Sequence, residues 1–369
     1  MILMKNKRWV SGVNLTLSQR MAILLLSVSV GSFYFALQVL FAPHLPLVMD
    51  EFQGASAIYQ SVSSIPYLNF VPYKPVLGYW FQSIFAGSYE SASQYIVDLK
   101  FGVRLVNACC LGILCWLLLR MEDVFASWSV VYSLVVVTLV STFIERSAEL
   151  RVDMLTVWVG MFSSILFVKQ RYLFAGTLIG LGFLVSQKIY FFGVAWAGAL
   201  SLYWVLKDRT YSLLKYGSFS VIGCAIVILL YILVFGVISG SFERVVDALF
   251  FTHADIAFGD LYGDLSRFWY QSIERNLLFY CFVFFSLGSA ILNLNRLSDE
   301  HWKLVVFSLI YVLLCLSHKQ PWPYFVPFLL MSALFMFPVA SEIWKGSPGF
   351  VFFSVSSLSI RVVLPTIVM

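Results

Sequence analysis

The chain has 369 residues, of which 60% are hydrophobic, 18% aromatic and only 12% charged, against about 45–50% apolar and about 25% charged in an ordinary soluble domain. That balance excludes a disordered chain, a coiled coil, a disulfide-stapled module and a soluble two-domain enzyme, and leaves an all-α polytopic integral membrane protein. The net charge is +5, with four histidines and no basic cluster beyond the N-terminus, which gives nucleic acid no footing.

A crossing helix takes about 20 apolar residues. The first charge-free run, 21–42, follows Lys5, Lys7, Arg8 and Arg20 and has no small-residue cleavage site behind it, so it reads as an uncleaved first span. Further spans are expected at 101–119, 124–143, 154–168, 172–187, 189–206, 216–238, 276–294, 303–317, 321–340 and 350–369, about 11 in all. The runs 154–168 and 172–187 are short, and the last one carries Arg361. The six cysteines lie inside apolar runs without C-x-x-C spacing, as packing residues do.

Lysine and arginine set the orientation. With the N-terminus in the cytoplasm, the inner connections 120–123, 169–171 and 207–215 are short, the inner segments together carry more bases than acids, and the outer segments are richer in acids. Two outer segments are long: a first loop, 43–100, and a second, 239–275. The whole chain, 1–369, reads as one transmembrane domain with no soluble C-terminal domain.

The chemistry collects on the outer side. Asp50 and Glu51 form a carboxylate pair at the end of the first span. They suit a general base, a cation site or the first turn of a helix over 51–60. In Y-K-P-V-L-G-Y-W (73–80), Pro75 forces an extended residue before it and a helix start after it, and Lys74 suits a phosphate or snorkels at the surface. The run 76–86 reads as an interfacial aromatic helix. Arg104 lies one turn inside the next span. In E-R-S-A-E-L-R-V-D-M (145–154), Glu149, Arg151 and Asp153 alternate, as a binding cluster or a set of salt bridges would. Lys188 closes the span 172–187, and His318, Lys319 and Tyr324 precede or sit in a Pro-Trp-Pro-Tyr segment. The second loop adds His253 and Asp255, a weak metal pair, and the aromatics Phe258, Tyr262, Phe268, Trp269 and Tyr270, which suit a sugar or the membrane interface.

In order, these motifs resemble the membrane-embedded GT-C glycosyltransferases, in the branch of bacterial aminoarabinose transferases and protein O-mannosyltransferases. The resemblance rests on the Asp-Glu pair in M-D-E-F-Q-G-A, on K-P-V-L-G-Y-W with Val76 where the family has a second proline, and on F-G-V-R-L at 101–105. It continues through R-V-D-M-L at 151–155, the Gly-Leu-rich span ending at Lys188, and Y-F-V-P at 324–327. It covers residues 43–330. Larger members carry a soluble domain after the spans, so their acceptor-recognition features are not carried over.

The resemblance implies a GT-C fold and transfer of a sugar from a polyprenyl-phosphate donor to a glycolipid, polysaccharide or protein acceptor at the periplasmic face of a bacterial inner membrane. Asp50 would be the general base, and Glu51 would orient the acceptor or help bind a cation. Lys74, Arg104, Arg151, Lys188 and Lys319 would meet the donor phosphate, with Glu149, Asp153, His318 and Tyr324 near acceptor or sugar. A divalent cation is a cofactor in some members and not in others. Two other readings stay open: a polysaccharide polymerase or ligase, and a lipid-linked sugar transporter. The transporter reading calls for ionisable residues near the bilayer midplane, and the spans 21–42, 124–143 and 321–340 have none.

Overall fold

The computed structural model describes residues 16–45, 47–87, 91–120, 124–207, 211–252 and 273–317. Among the described residues the protein is all-helical, and the one pairing of extended backbone is a bridge between Pro66 and Phe70. Four helices are long and apolar enough to cross a membrane, within Leu17–His44, Ala92–Leu119, Gln187–Leu206 and Tyr216–Ser239; a fifth crossing results if the bent pair Val130–Thr138 and Ser141–Ser147 is one span. The protein is a helical, membrane-embedded chain. The runs at 154–168, 172–187 and 276–294 form shorter apolar helices. Those at 321–340 and 350–369 lie outside the described residues.

In chain order the helices are α1 (Leu17–Phe41), α2 (Met49–Ser63), α3 (Val76–Ser83), α4 (Ala92–Leu119), α5 (Val124–Thr138), α6 (Ser141–Ser147) and α7 (Asp153–Val168). They continue with α8 (Tyr172–Phe183), α9 (Tyr190–Leu206), α10 (Tyr211–Ser239), α11 (Phe242–Phe250), α12 (Leu277–Leu292) and α13 (Asp299–Ser317). The first long loop thus holds two helices, α2 and α3, and its last residues belong to α4.

That last point corrects the expected start of the span at 101. Ser91 caps α4 by accepting the Gln94 N–H at 3.2 Å. Asp98 and Lys100 interrupt the charge-free run, but Tyr95, Ile96, Leu99 and Val103 recur at helical spacing and are all buried. They pack with Ala55 and Ile58 of α2 and Tyr79 of α3. An amphipathic opening of α4 carries the small helices of the loop.

A second correction falls in the expected span 124–143. The helix breaks at Leu139–Val140 and turns by 73° into α6. Neither proline nor glycine marks the place. Asn276, just ahead of α12, holds the bend: its Oδ1 accepts from the Ser141 N–H and Oγ, each at 3.2 Å, and its Nδ2 donates to Thr142 at 3.1 Å. The first orphan amide of α6 is satisfied from another helix.

Close backbone contacts shape the rest. α8 and α10 lie so near that a Cβ on Gly176 would come within 1.9 Å of the Ser220 carbonyl oxygen, and one on Gly223 within 2.4 Å of the Leu173 oxygen. Small residues at such crossings let membrane helices touch. α7 turns into α8 through Gln170, whose φ of 57° is left-handed. A stack of Phe167, Trp196 and Phe307 ties α7, α9 and α13 together. All six cysteines are among the described residues, and no disulfide joins them.

Candidate functional site

Four segments distant in sequence bring their charges to one end of the helices. The first is the opening turn of α2. Val48 is extended, and its N–H is accepted by Glu51 Oε2 at 3.0 Å, so Glu51 caps its own helix. The neighbouring Asp50 points outward.

The second segment precedes α3. Tyr67 turns the chain with a left-handed φ of 66°. Its hydroxyl meets that of Tyr231 at 2.7 Å, its carbonyl accepts from Arg244 at 2.9 Å, and Tyr231 also accepts the Val76 N–H at 3.2 Å. These bonds fasten the strap that carries Lys74. Beyond Pro75, α3 lies against the third segment: Gln82 donates to the Arg151 carbonyl at 3.1 Å, and Gly78 leaves room for Val152.

The third segment, 148–152, joins α6 to α7, and Asp153 opens α7. The fourth is the turn at Ser186–Lys188 after α8.

Asp153 Oδ1 accepts from Lys74 Nζ at 2.9 Å and lies 3.3 Å from Lys188 Nζ. Its Oδ2 is buried and has no hydrogen-bond partner among the described residues. Burial works to raise the Asp153 carboxyl, but Lys188, Lys74 and Arg151 outweigh it and hold the group well below the usual carboxylate range. Arg151 reaches across to Asp50 and, through Nε, lies 2.8 Å from Glu149. Glu149 also pairs with Arg146. For Glu149 burial wins over Arg151 and Arg146, and its carboxyl is pushed up.

Asp50 and Glu51 differ sharply. The Asp50 side chain is 52% exposed, and that of Glu51 is 0% exposed. Glu51 Oε1 accepts the Leu150 N–H at 3.0 Å and faces Lys100 Nζ at 2.7 Å. Glu51 therefore joins α2 to the third segment, and Asp50 is the carboxylate of the pair that is open to solvent. Arg104 is half-buried on α4 within electrostatic reach of Glu51, and its Nε has no hydrogen-bond partner among the described residues.

A buried polar network sets the height of the third segment. Ser147 Oγ accepts from Tyr34 at 2.5 Å and from Gln38 at 3.0 Å, and its carbonyl accepts from Asn107 at 2.6 Å. Asn107 in turn accepts from the Trp158 indole at 2.8 Å. Residues of α1, α4 and α7 thus grip the end of α6. Beside it, Gln82, Asn107, Arg151 and Phe85 line a cavity of about 10 Å³, room for about one water.

The structure brings together Asp50, Glu51, Lys74, Glu149, Arg151, Asp153 and Lys188 of the residues singled out from sequence. His318, Lys319, Tyr324, and the loop residues His253 and Asp255 lie outside the described residues. Sequence reasoning missed Lys100. Its signal was there: Ile96, Leu99, Lys100 and Val103 share a helix face, so a charge sits in a buried stripe and needs a buried partner.

Among the described residues no three His, Cys, Asp or Glu side chains form a metal-binding group. Each carboxylate of the cluster instead faces a lysine or arginine, a donor set that does not suit a divalent cation. No protein-family profile and no curated protein sequence matches the chain.

Proposed function

We propose that the protein is a GT-C-like glycosyltransferase with about 11 spans. It moves a sugar from a polyprenyl-phosphate donor to a glycolipid, polysaccharide or protein acceptor at the periplasmic face of a bacterial inner membrane. One observation carries this reading: Asp50, an exposed carboxylate, meets Arg151 in the same cluster that holds Lys74 and Lys188 on Asp153. A proton acceptor beside an array of cations suits a reaction whose nucleophile loses a proton and whose leaving group gains charge.

The mechanism is a direct displacement. Asp50 takes the proton of the acceptor hydroxyl as its oxygen attacks the anomeric carbon. The bond from that carbon to the phosphate oxygen breaks, its electron pair leaves with the lipid phosphate, and configuration inverts. Lys74, Lys188 and Arg151 meet the charge on the departing phosphate. Asp153 keeps the two lysines together, and Glu51 holds the Arg151 segment against α2. The leaving phosphate needs no protonation.

The test is label transfer in membranes carrying the wild type or Asp50→Asn, supplied with a panel of radiolabelled polyprenyl-phosphate sugars and host lipid extract. The wild type is expected to move label to an acceptor, and Asp50→Asn to lose about 10²–10⁴-fold of that rate. Equal rates would remove Asp50 from the chemistry. Failure of the wild type with every donor would sink the transferase reading.

A further inference from the structure

Lys100 has no part in the displacement just described, yet it is one of the most buried charges among the described residues, 5% exposed as a residue. Its ammonium lies 2.7 Å from Glu51 Oε1, the oxygen that also accepts the Leu150 N–H. Leu150 precedes Arg151, and Glu51 follows Asp50. Two neighbours on α2 therefore clasp two neighbours on the third segment, 51 to 150 and 50 to 151. The contact is tight: a Cβ on Gly54 would stand 2.9 Å from the Leu150 carbonyl oxygen. The other charges facing Glu51 are Arg104 on α4 and Glu149.

We propose that Lys100 is a positioning residue that acts through Glu51. By pairing with the buried carboxylate it keeps Glu51 on the Leu150 amide, and so keeps Arg151 registered on Asp50. Without it the buried carboxylate loses its ion-pair partner and keeps only Arg104, which forms no ion pair with it, against the like charge of Glu149, and a buried charge stripped of its partner forces a local rearrangement. The inference deepens the transferase reading and rests on it for the catalytic consequence, but the clasp is a geometric claim that stands separately.

The experiment uses the full chain in nanodiscs, as wild type, Lys100→Met, Lys100→Arg, Glu51→Gln and Lys100→Met/Glu51→Gln. It reads label transfer at saturating and limiting donor, and hydrogen exchange over 148–152. Lys100→Met is expected to lower kcat about 10²-fold with donor KM little changed, the cost of a misplaced reacting group. Exchange at Leu150 should quicken by about tenfold or more, as the loss of a charge-assisted bond predicts. Lys100→Arg should restore most of both. The double variant should be no worse than the poorer single variant, because both substitutions break one device.

Wild-type kcat and exchange in inserted Lys100→Met would overturn the proposal. So would a Lys100→Arg chain no better than Lys100→Met, or losses in the double variant that multiply. A wild type that transfers while Lys100→Met exchanges normally sinks this inference and spares the transferase reading. A wild type inactive with every donor does the reverse, since the exchange comparison still decides the clasp.

Discussion

Asp153 binds two lysines with a single oxygen, and that economy has a consequence for stability. The side chains of Lys74, Asp153 and Lys188 are 14%, 9% and 23% exposed, so each charge is mostly out of water. Asp153→Asn would leave two ammonium groups facing each other without a counter-charge. The expected loss is about 3–5 kcal/mol, read as a drop in thermal unfolding temperature in detergent. Asp153→Asn/Lys188→Met should recover part of it, because one of the stranded cations is removed. The same carboxyl fixes a pH dependence. Its native value is held down, so its contribution is complete above the unfolded value of about 4 and is lost as the pH falls below it. The gap in unfolding temperature between wild type and Asp153→Asn should therefore close in stronger acid, and it should narrow at the alkaline end as well, because burial brings Lys188 down to about 8 and removing Asp153 takes away a charge that holds it up. Asp153 and its two lysines were legible as charges on one side of the membrane, since the orientation rule brings them together. Their pairing was not, because it depends on which of three loops approaches which. Lys100 was hidden for a different reason: counting it as loop removed it from the helix face where its burial would have been visible.

At the scale of elements, hydropathy read the helices well where charge and helix ended together, as at α9, which stops at Leu206 just before Lys207. It failed in two ways. A charge-free run cannot report the amphipathic opening of α4, whose apolar stripe is the evidence for it. Nor can it report the bend between α5 and α6, which has no glycine or proline and depends on Asn276 from 135 residues away. The α8–α10 crossing gives the sharper prediction. Gly176→Ala places a methyl against the backbone of Ser220, which cannot rotate aside. Forcing the helices apart should cost about 1–3 kcal/mol. Gly217, on the same α10, has no atom within 4 Å of its would-be Cβ. Gly217→Ala should instead gain about 0.5–1 kcal/mol from helix propensity alone. Thermal unfolding of the two variants side by side separates crossing geometry from propensity. Similar effects in both would mean that α8 and α10 do not lie as closely as the structure has them.

For the whole molecule, alternation of the helices ties the charge cluster to one side of the membrane. The turn at Lys169–Arg171 and the Lys303 ammonium, 4.0 Å from the Tyr203 ring, belong to connections at the opposite end of α7, α9 and α13 from the cluster. If positive charge faces the cytoplasm, the cluster opens outward, where a lipid-linked sugar and its acceptor would meet. Labelling can decide this without any knowledge of substrate. In a chain with all six cysteines replaced, a single cysteine is placed at Ser63, exposed at the end of α2, or at Gln170, exposed in the α7–α8 turn. A membrane-impermeant maleimide on intact spheroplasts should label Ser63→Cys, and Gln170→Cys only after the membrane is opened. The reverse pattern would put Asp50 and its cations in the cytoplasm, within reach of soluble nucleotide-activated sugars. A membrane-bound donor would then have no necessary place in the mechanism, even if every ion pair of the cluster stood as described.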